Sequence, residues 1–227
     1  MDVGVSVFAF FLGGIPLKSM QRIGPHNKDV LCVIFGSLLG DAYAEKRANS
    51  TRICFQPESS HVGYLYWLHK FFAERGYCNP NKPKLSRRIV KNGKVRFVLR
   101  FKTWSFQSLN WMHAIFYENN TKKVPSLDLL ETYLTSQAMA IWIMDEGTSS
   151  GKGLTLATHS FNLEDLLFLQ TFFQEKYHWK VGIHKSGYEN QYVIYVYAES
   201  MHTLAKAVKP YMVESMYYKL GSNGSSL

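Results

Sequence analysis

The sequence predicts an α+β fold built from two pseudo-symmetric halves, on three observations. Two apolar runs, Ile34-Phe35-Gly36-Ser37-Leu38-Leu39-Gly40-Asp41-Ala42 and Met139-Ala140-Ile141-Trp142-Ile143-Met144-Asp145-Glu146-Gly147, each stop abruptly at an acidic residue followed by Ala or Gly. A helix-like segment ending Phe71-Phe72-Ala73-Glu74-Arg75 is echoed by Phe172-Phe173-Gln174-Glu175-Lys176. An alternating strand pair and a closing helix follow in each half, so the order helix, strands, helix, strands, helix occurs twice.

Val3 to Leu17 is apolar and rich in small residues, but it is short for a membrane span and is preceded by Asp2 rather than by lysines. Three readings fit it: a strand or arm packed on the core, a targeting relic, or a segment read through from an upstream exon. Arg22 to Lys28, with Gly24 and Pro25 as breakers, reads as a linker, so residues 1–28 form an N-terminal extension. The first half, 29–125, opens with the first acid-terminated helix. Arg52 to Gln56 then reads as a strand, Gly63 to Arg75 as a helix, Ser86 to Val90 with Lys94 to Trp104 as a strand pair, and Gln107 to Tyr117 as the closing helix. The second half, 126–220, repeats this with Leu154 to Thr158, a helix from Leu163 to Tyr177 capped by Asn162, the pair Lys180 to Ser186 with Gln191 to Tyr197, and a helix from Ser200 to Val208. The Ser- and Gly-rich tail, 221–227, is expected to be disordered.

Composition narrows the partner. The chain has 227 residues, is 46% hydrophobic and carries a formal net charge of +9, which suits a folded protein whose surface attracts polyanions. Nucleic acid is the leading partner class and an anionic membrane surface the second. In Lys94 to Lys102, Val95, Phe97, Leu99 and Phe101 share one strand face, and Lys94, Arg96, Arg100 and Lys102 the other. Asn81 to Thr103 holds nine basic residues (Lys82, Lys84, Arg87, Arg88, Lys91, Lys94, Arg96, Arg100 and Lys102) and no acid, whereas an ordinary solvated face mixes signs. A ribbon so charged fits the DNA major groove. The second ribbon, with Lys180, His184, Lys185, Gln191 and several tyrosines, predicts fewer phosphate contacts and more polar or van der Waals ones.

Two helices that each deliver a carboxylate to one place supply what metal-assisted phosphodiester chemistry requires. Other chemistries lack their residues. The three cysteines, Cys32, Cys54 and Cys78, have no CxxC spacing, which argues for a reducing compartment and no zinc site. The eight histidines form no His-Asn-His or HExxH arrangement, and no GxxxxGK[ST] loop is present. His159 and His184 read as polar strand or DNA-facing residues rather than ligands.

The paired motifs resemble those of the two-motif, single-chain LAGLIDADG homing endonucleases, and the second half is most similar to their omega-type, I-SceI-like branch. The residues that carry the resemblance are Met144-Asp145-Glu146-Gly147, Thr158-His159-Ser160-Phe161, Lys209-Pro210-Tyr211, Met216-Tyr217-Tyr218-Lys219-Leu220 and Lys122-Lys123-Val124-Pro125. It covers about Asp29 to Leu220. The resemblance implies a monomer of two αββαββα half-domains forming a β-saddle on DNA, with the motif helices packed side by side at a central interface. Gly36 and Gly40 suit so close a contact; on the second helix Ala140 fits it, but Ile141 stands opposite Gly36 in the alignment, which implies asymmetric packing.

The family's metal-binding acid precedes the last small residue of the motif, selecting Asp41 and Glu146, with Asp145 the alternative second acid. The Gly40 and Asp145 backbone carbonyls are further candidate metal ligands. By the same resemblance Lys122 and Lys219 stand beside the reacting centre, with Lys123 not separable from Lys122. The implied cofactor is Mg²⁺, with Mn²⁺ substituting and Ca²⁺ binding without supporting cleavage. The implied activity is site-specific cleavage of double-stranded DNA in intron homing, leaving 3′ overhangs. The competing reading is an RNA maturase assisting splicing of its own group I intron. No membrane and no obligate protein partner are expected, and the compartment is organellar, the mitochondrion ahead of the chloroplast.

Overall fold

A computed structural model describes residues 11–12, 15–16, 22, 25–55, 61–89 and 95–224. In chain order the elements are β1 (Phe11–Leu12), β2 (Ile15–Pro16), α1 (Lys28–Leu39), β3 (Tyr43–Arg47), β4 (Ser50–Phe55), α2 (Val62–Glu74), β5 (Ser86–Ile89), β6 (Val95–Val98), β7 (Phe101–Lys102), a 3-10 turn (Gln107–Leu109) and α3 (Asn110–Phe116). Then come β8 (Tyr117–Glu118), β9 (Thr121–Lys122), α4 (Leu127–Tyr133), α5 (Ser136–Glu146), β10 (Gly147–Ser150), β11 (Gly153–Ala157), α6 (Leu163–Tyr177), β12 (Val181–Lys185), β13 (Tyr192–Val196), α7 (Ala198–Val208) and 3-10 turns at Lys209–Tyr211 and Glu214–Gly224. All strand pairs are antiparallel.

The chain divides into two compact units, Met1–His26 with Ala42–His113 and Asn27–Asp41 with Ala114–Leu227. The sequence-level halves follow the repeat; the units follow the packing. They differ at α1, which begins the first repeat but lies in the second unit, against α5, and at Ala114 to Pro125, which close the first half but also lie in the second unit.

In the first unit β3, β4 and β7 form a sheet and β5 and β6 a separate ribbon. Ile53, Phe55, Tyr64, Leu65, Leu68, Phe72 and Leu99 are buried in its core. Phe101 of β7 stacks on Phe55 of β4, with ring centroids 4.5 Å apart. Each such apolar side chain contributes about 1.5–3 kcal/mol by leaving water. The single strand expected from Lys94 to Trp104 is two strands in two sheets: Val98 pairs with Ser86, but Phe101 pairs with Phe55. From Leu99 to Lys102 the alternation is seen, with Leu99 buried and Arg100 and Lys102 exposed, because alternation reports which face a side chain takes and not which strand it bonds. Val90, Lys91 and Lys94 lie outside the described residues.

In the second unit β10-β11-β13-β12 is one four-stranded sheet, and β13 pairs with both neighbours without a break. Leu154, Leu156, Ile194 and Val196 are buried from this sheet, Leu166, Leu169, Phe172 and Phe173 from α6. α6 has the predicted span and cap, with Asn162 Oδ1 accepting from the Asp165 amide at 2.8 Å.

The chain ends differ from expectation in two ways. Gly221 to Gly224 belong to the last 3-10 turn and Gly224 is buried, so order extends into the expected disordered tail; residues 225–227 lie outside the described set. The segment read as a linker is tied down within the first unit, since Arg22 donates to the Ser105 carbonyl at 3.0 Å and His26 lies 2.7 Å from both Tyr77 Oη and Ser108 Oγ. Of the apolar extension, only the β1–β2 pair is described, and among the described residues no helix is long and apolar enough to cross a membrane.

Candidate active site

α1 is apolar from Val30 to Leu39 apart from Gly36 and Ser37, and each of these residues but the half-buried Leu31 is buried. α5 is its counterpart, capped by Thr135, whose hydroxyl accepts from the Ala138 amide, and buried from Ala138 to Met144. Their packing is close because one side chain is missing. A Cβ added at Gly36 would lie 2.9 Å from the Ala138 carbonyl carbon and collide with its oxygen. The residue facing Gly36 is therefore Ala138, and neither Ile141, its counterpart in the alignment, nor Ala140, the small residue expected to suit the contact. A Cβ at Gly40 would meet Asp145 Oδ2 at 2.5 Å and Asp145 Cβ at 2.6 Å. The Asp145 side chain thus occupies the space that Gly40 leaves open.

This packing brings Asp41 and Glu146 together. Glu146 is the last residue of α5, whereas α1 ends two residues before Asp41, which sits in the turn into β3. The two carboxyls lie within hydrogen-bonding reach; burial, and then the Asp41 charge, push the Glu146 carboxyl up to about 7. The helix dipoles add to this strain, because a C-terminal end favours cations over carboxylates.

Two lysines answer that need in parallel. Lys122 donates to the Gly40 carbonyl at 2.9 Å, and Lys219 donates to the Met144 and Asp145 carbonyls at 2.5 and 3.1 Å. Gly40 and Asp145 are equivalent in the repeat, so each lysine caps the end of one motif helix. Lys122 is placed by the β8–β9 hairpin, whose two-residue turn, Asn119-Asn120, has φ of 50° and 62°. Burial pushes the Lys122 ammonium down to about 8, against the opposing pull of Glu146, Asp145 and Asp41. Burial likewise lowers Lys219, which is 4% exposed. Lys123 points elsewhere, 3.6 Å from Glu118. Phe161 was not anticipated: its ring lies 5.8 Å from the Lys122 ammonium and gives it an aromatic wall. Its place in the Thr158-His159-Ser160-Phe161 segment was the available signal.

Among the described residues no group of three or more His, Cys, Asp or Glu side chains converges, and the three cysteines are free and buried. Two facing carboxylates, one holding its proton to near neutrality, form an all-oxygen donor set that a hard divalent cation fits, since the cation removes the repulsion that burial amplifies.

The basic residues expected on the ribbons are distributed as follows. Lys82 and Lys84 are exposed ahead of β5, Arg87 and Arg88 are on β5, Arg96 is on β6 opposite Arg88, and Arg100 and Lys102 are exposed at β7. In the second unit His184 and Lys185 are exposed on β12, Lys180 pairs with Glu199 at 2.8 Å, and Gln191 closes the β12–β13 turn through its carbonyl. His184 stacks on Tyr195, which meets Tyr197 edge-on.

The sequence profile of the LAGLIDADG DNA endonuclease family matches residues 31–204. The chain belongs to this family. It is 45% identical over 211 residues to the cytochrome b mRNA maturase bI2 of Saccharomyces cerevisiae, covering 89% of this chain but 49% of that protein, so it spans about half the length of that relative. It is 36% identical to the intron-encoded endonuclease ai4 of Dictyostelium discoideum over 159 residues, 68% of this chain and 98% of that one. The LAGLIDADG fold is shared with the homing endonuclease I-WcaI, solved bound to its DNA recognition sequence, with a TM-score of 0.77 at 23% identity over 89% of this chain and 90% of that one.

Proposed function

We propose that this LAGLIDADG chain is a site-specific double-strand DNA endonuclease of intron homing, acting as a monomer of two half-domains, 29–125 and 126–220, and leaving 3′ overhangs. The observation that carries the reading is the meeting of Asp41 and Glu146 at the ends of α1 and α5, with Lys122 and Lys219 beside them. Asp41 and Glu146 would hold the divalent cation, Mg²⁺ by preference, through carboxylate oxygens, one acid serving each strand. The Gly40 and Asp145 carbonyls each accept from a lysine and keep a second lone pair for the same purpose. When bound, Mg²⁺ activates water and neutralises charge on the scissile phosphate. Lys122, with its ammonium brought down to about 8, can release or regain a proton near neutral pH and can screen charge on the phosphate. Lys219, whose ammonium burial also lowers, screens charge on the phosphate of the other strand. The basic residues from Lys82 to Lys102 hold the DNA backbone, and Lys180, His184, Lys185 and Gln191 contact it from the second ribbon. We place the chain in the omega-type branch and in the mitochondrion.

With Mg²⁺, the purified chain should cut duplex DNA carrying the intron-less junction of its host gene. Asp41→Asn and Glu146→Gln should bind that duplex within about twofold of the unaltered chain and lose cutting by at least about 10²-fold. Full cutting by Glu146→Gln would transfer the role to Asp145. A second reading, maturase activity on a group I intron, is favoured by the 45% identity to a cytochrome b mRNA maturase. It predicts that the Asp41→Asn chain still rescues splicing of its intron RNA.

A further inference from the structure

A recess of about 500 Å³ opens in the first unit beside β7 and the loop from Cys78 to Pro83. Its described lining includes Arg22, Arg52, Lys82, Arg100 and Lys102 and no carboxylate. Glu45 occupies the Arg52 guanidinium at 2.6 Å, which leaves the other four cations to set the field. Two of them lie against aromatic rings. The Arg22 guanidinium sits 5.3 Å from the centre of the Trp104 ring while donating to the Ser105 carbonyl, and the Lys82 ammonium sits 4.0 Å from that of Tyr66. A neighbouring recess of about 440 Å³, lined by Tyr66, shares Lys82 with the first.

The volume is that of a small-ligand site. A duplex presents its phosphates on a broad convex surface and keeps its bases stacked inside, so it cannot enter. One nucleotide unit of an unpaired strand can. Bases splayed from a single strand stack on aromatic rings and on arginine guanidinium planes, and lysine and arginine take the adjoining phosphates. Arg22 and Trp104 line the recess together with Lys82, Arg100 and Lys102, so an aromatic ring and the cations that could take phosphates share one wall.

We propose that this recess is a binding site for a single-stranded polynucleotide, with one base beside the Arg22 guanidinium and the Trp104 ring and its phosphates between Lys82, Arg100 and Lys102. RNA and single-stranded DNA share this chemistry. The site uses neither member of the acid pair but shares Lys82, Arg100 and Lys102 with the proposed duplex surface, so the test turns on Arg22 and Trp104, which the cleavage reading does not use.

The test uses the full chain without divalent cation and measures anisotropy of labelled oligo(U), labelled oligo(dT) and a labelled random-sequence duplex. Arg22→Gln and Trp104→Leu should weaken at least one single-strand probe by about tenfold and change duplex affinity by less than about twofold. Equal loss for duplex and single strand would reduce the recess to part of the duplex surface and overturn the proposal, as would unchanged single-strand binding by both variants. Because Trp104 is half-buried, a variant-free measurement accompanies these. Oligonucleotides carrying 4-thiouridine or 4-thiothymidine are photocrosslinked to the unaltered chain. Crosslinks should map to peptides containing Arg22, Tyr66 or Trp104; the arm that crosslinks identifies RNA or DNA as the source, and crosslinks confined to other peptides overturn the site.

Discussion

At the residue scale the acid pair makes a thermodynamic prediction that needs no substrate. The folded Glu146 carboxyl keeps its proton to about 7, whereas in the unfolded chain it loses it near the ordinary value of 4.5. Folding therefore takes up a proton between those values, and stability falls as pH rises through that window. In the absence of divalent cation, Glu146→Gln should be more stable than the unaltered chain at pH 8 by roughly 1–3 kcal/mol, with the two converging below about pH 4.5. Added Mg²⁺ should raise the melting temperature of the unaltered chain and leave that of Glu146→Gln nearly fixed. Urea titrations at several pH values check the first statement and thermal melts the second. That the two runs bring Asp41 and Glu146 together was legible in the sequence, whereas the selection of Glu146 over its neighbour Asp145 rests on the family motif. Which of Lys122 and Lys123 reaches the Gly40 carbonyl was not legible, because it depends on hairpin register: Tyr117 pairs with Lys122 across the turn. Asn119-Asn120 was the readable clue to that hairpin.

At the scale of elements, the α1–α5 contact predicts two different responses to the same substitution. Gly36→Ala drives a methyl into the Ala138 carbonyl, which no side-chain movement relieves, and should destabilise by about 3 kcal/mol. Gly40→Ala meets the Asp145 side chain instead, and Asp145→Gly should recover much of its cost. A double-mutant cycle should show strong coupling between 40 and 145. Helices and strand pairs were largely legible, α6 to the residue, because long periodic segments announce their type. What periodicity could not supply was the partner of a strand or a helix: β6 and β7 look like one strand until Leu99 turns inward, and α1 looks like part of the first half until Gly36 meets Ala138.

For the whole molecule, charge is unevenly shared. The basic stretch from Lys82 to Lys102 lies in the first unit, whereas the β12–β13 face of the second offers His184, Tyr195 and Tyr197. Duplex affinity should fall steeply with salt, with a log-log slope of about −0.9 for each neutralised phosphate. Lys82→Ala with Lys84→Ala should flatten that slope by about one to two units, whereas His184→Ala should weaken binding and leave the slope unchanged. Salt-dependent titrations of the three chains decide this. The net charge of +9 made a positively charged surface legible; the contrast between ribbons was legible too, from tyrosines standing where lysines stood before. The Arg22–Trp104 recess was not, since its residues are scattered along the chain and only the fold assembles them.

The position of α1 also shapes how the chain is made. This helix leaves the ribosome before every element of the first unit from β3 onward, yet the surface it packs on, from Ala138 onward, is synthesised about a hundred residues later. At a translation rate of about 5–20 residues per second, its apolar face waits several seconds uncovered while Ala42 to His113 already has its own core to fold. A nascent chain stalled before α5 should consequently bind a hydrophobic dye or a chaperone through α1, and release it once Ala138 to Met144 emerges.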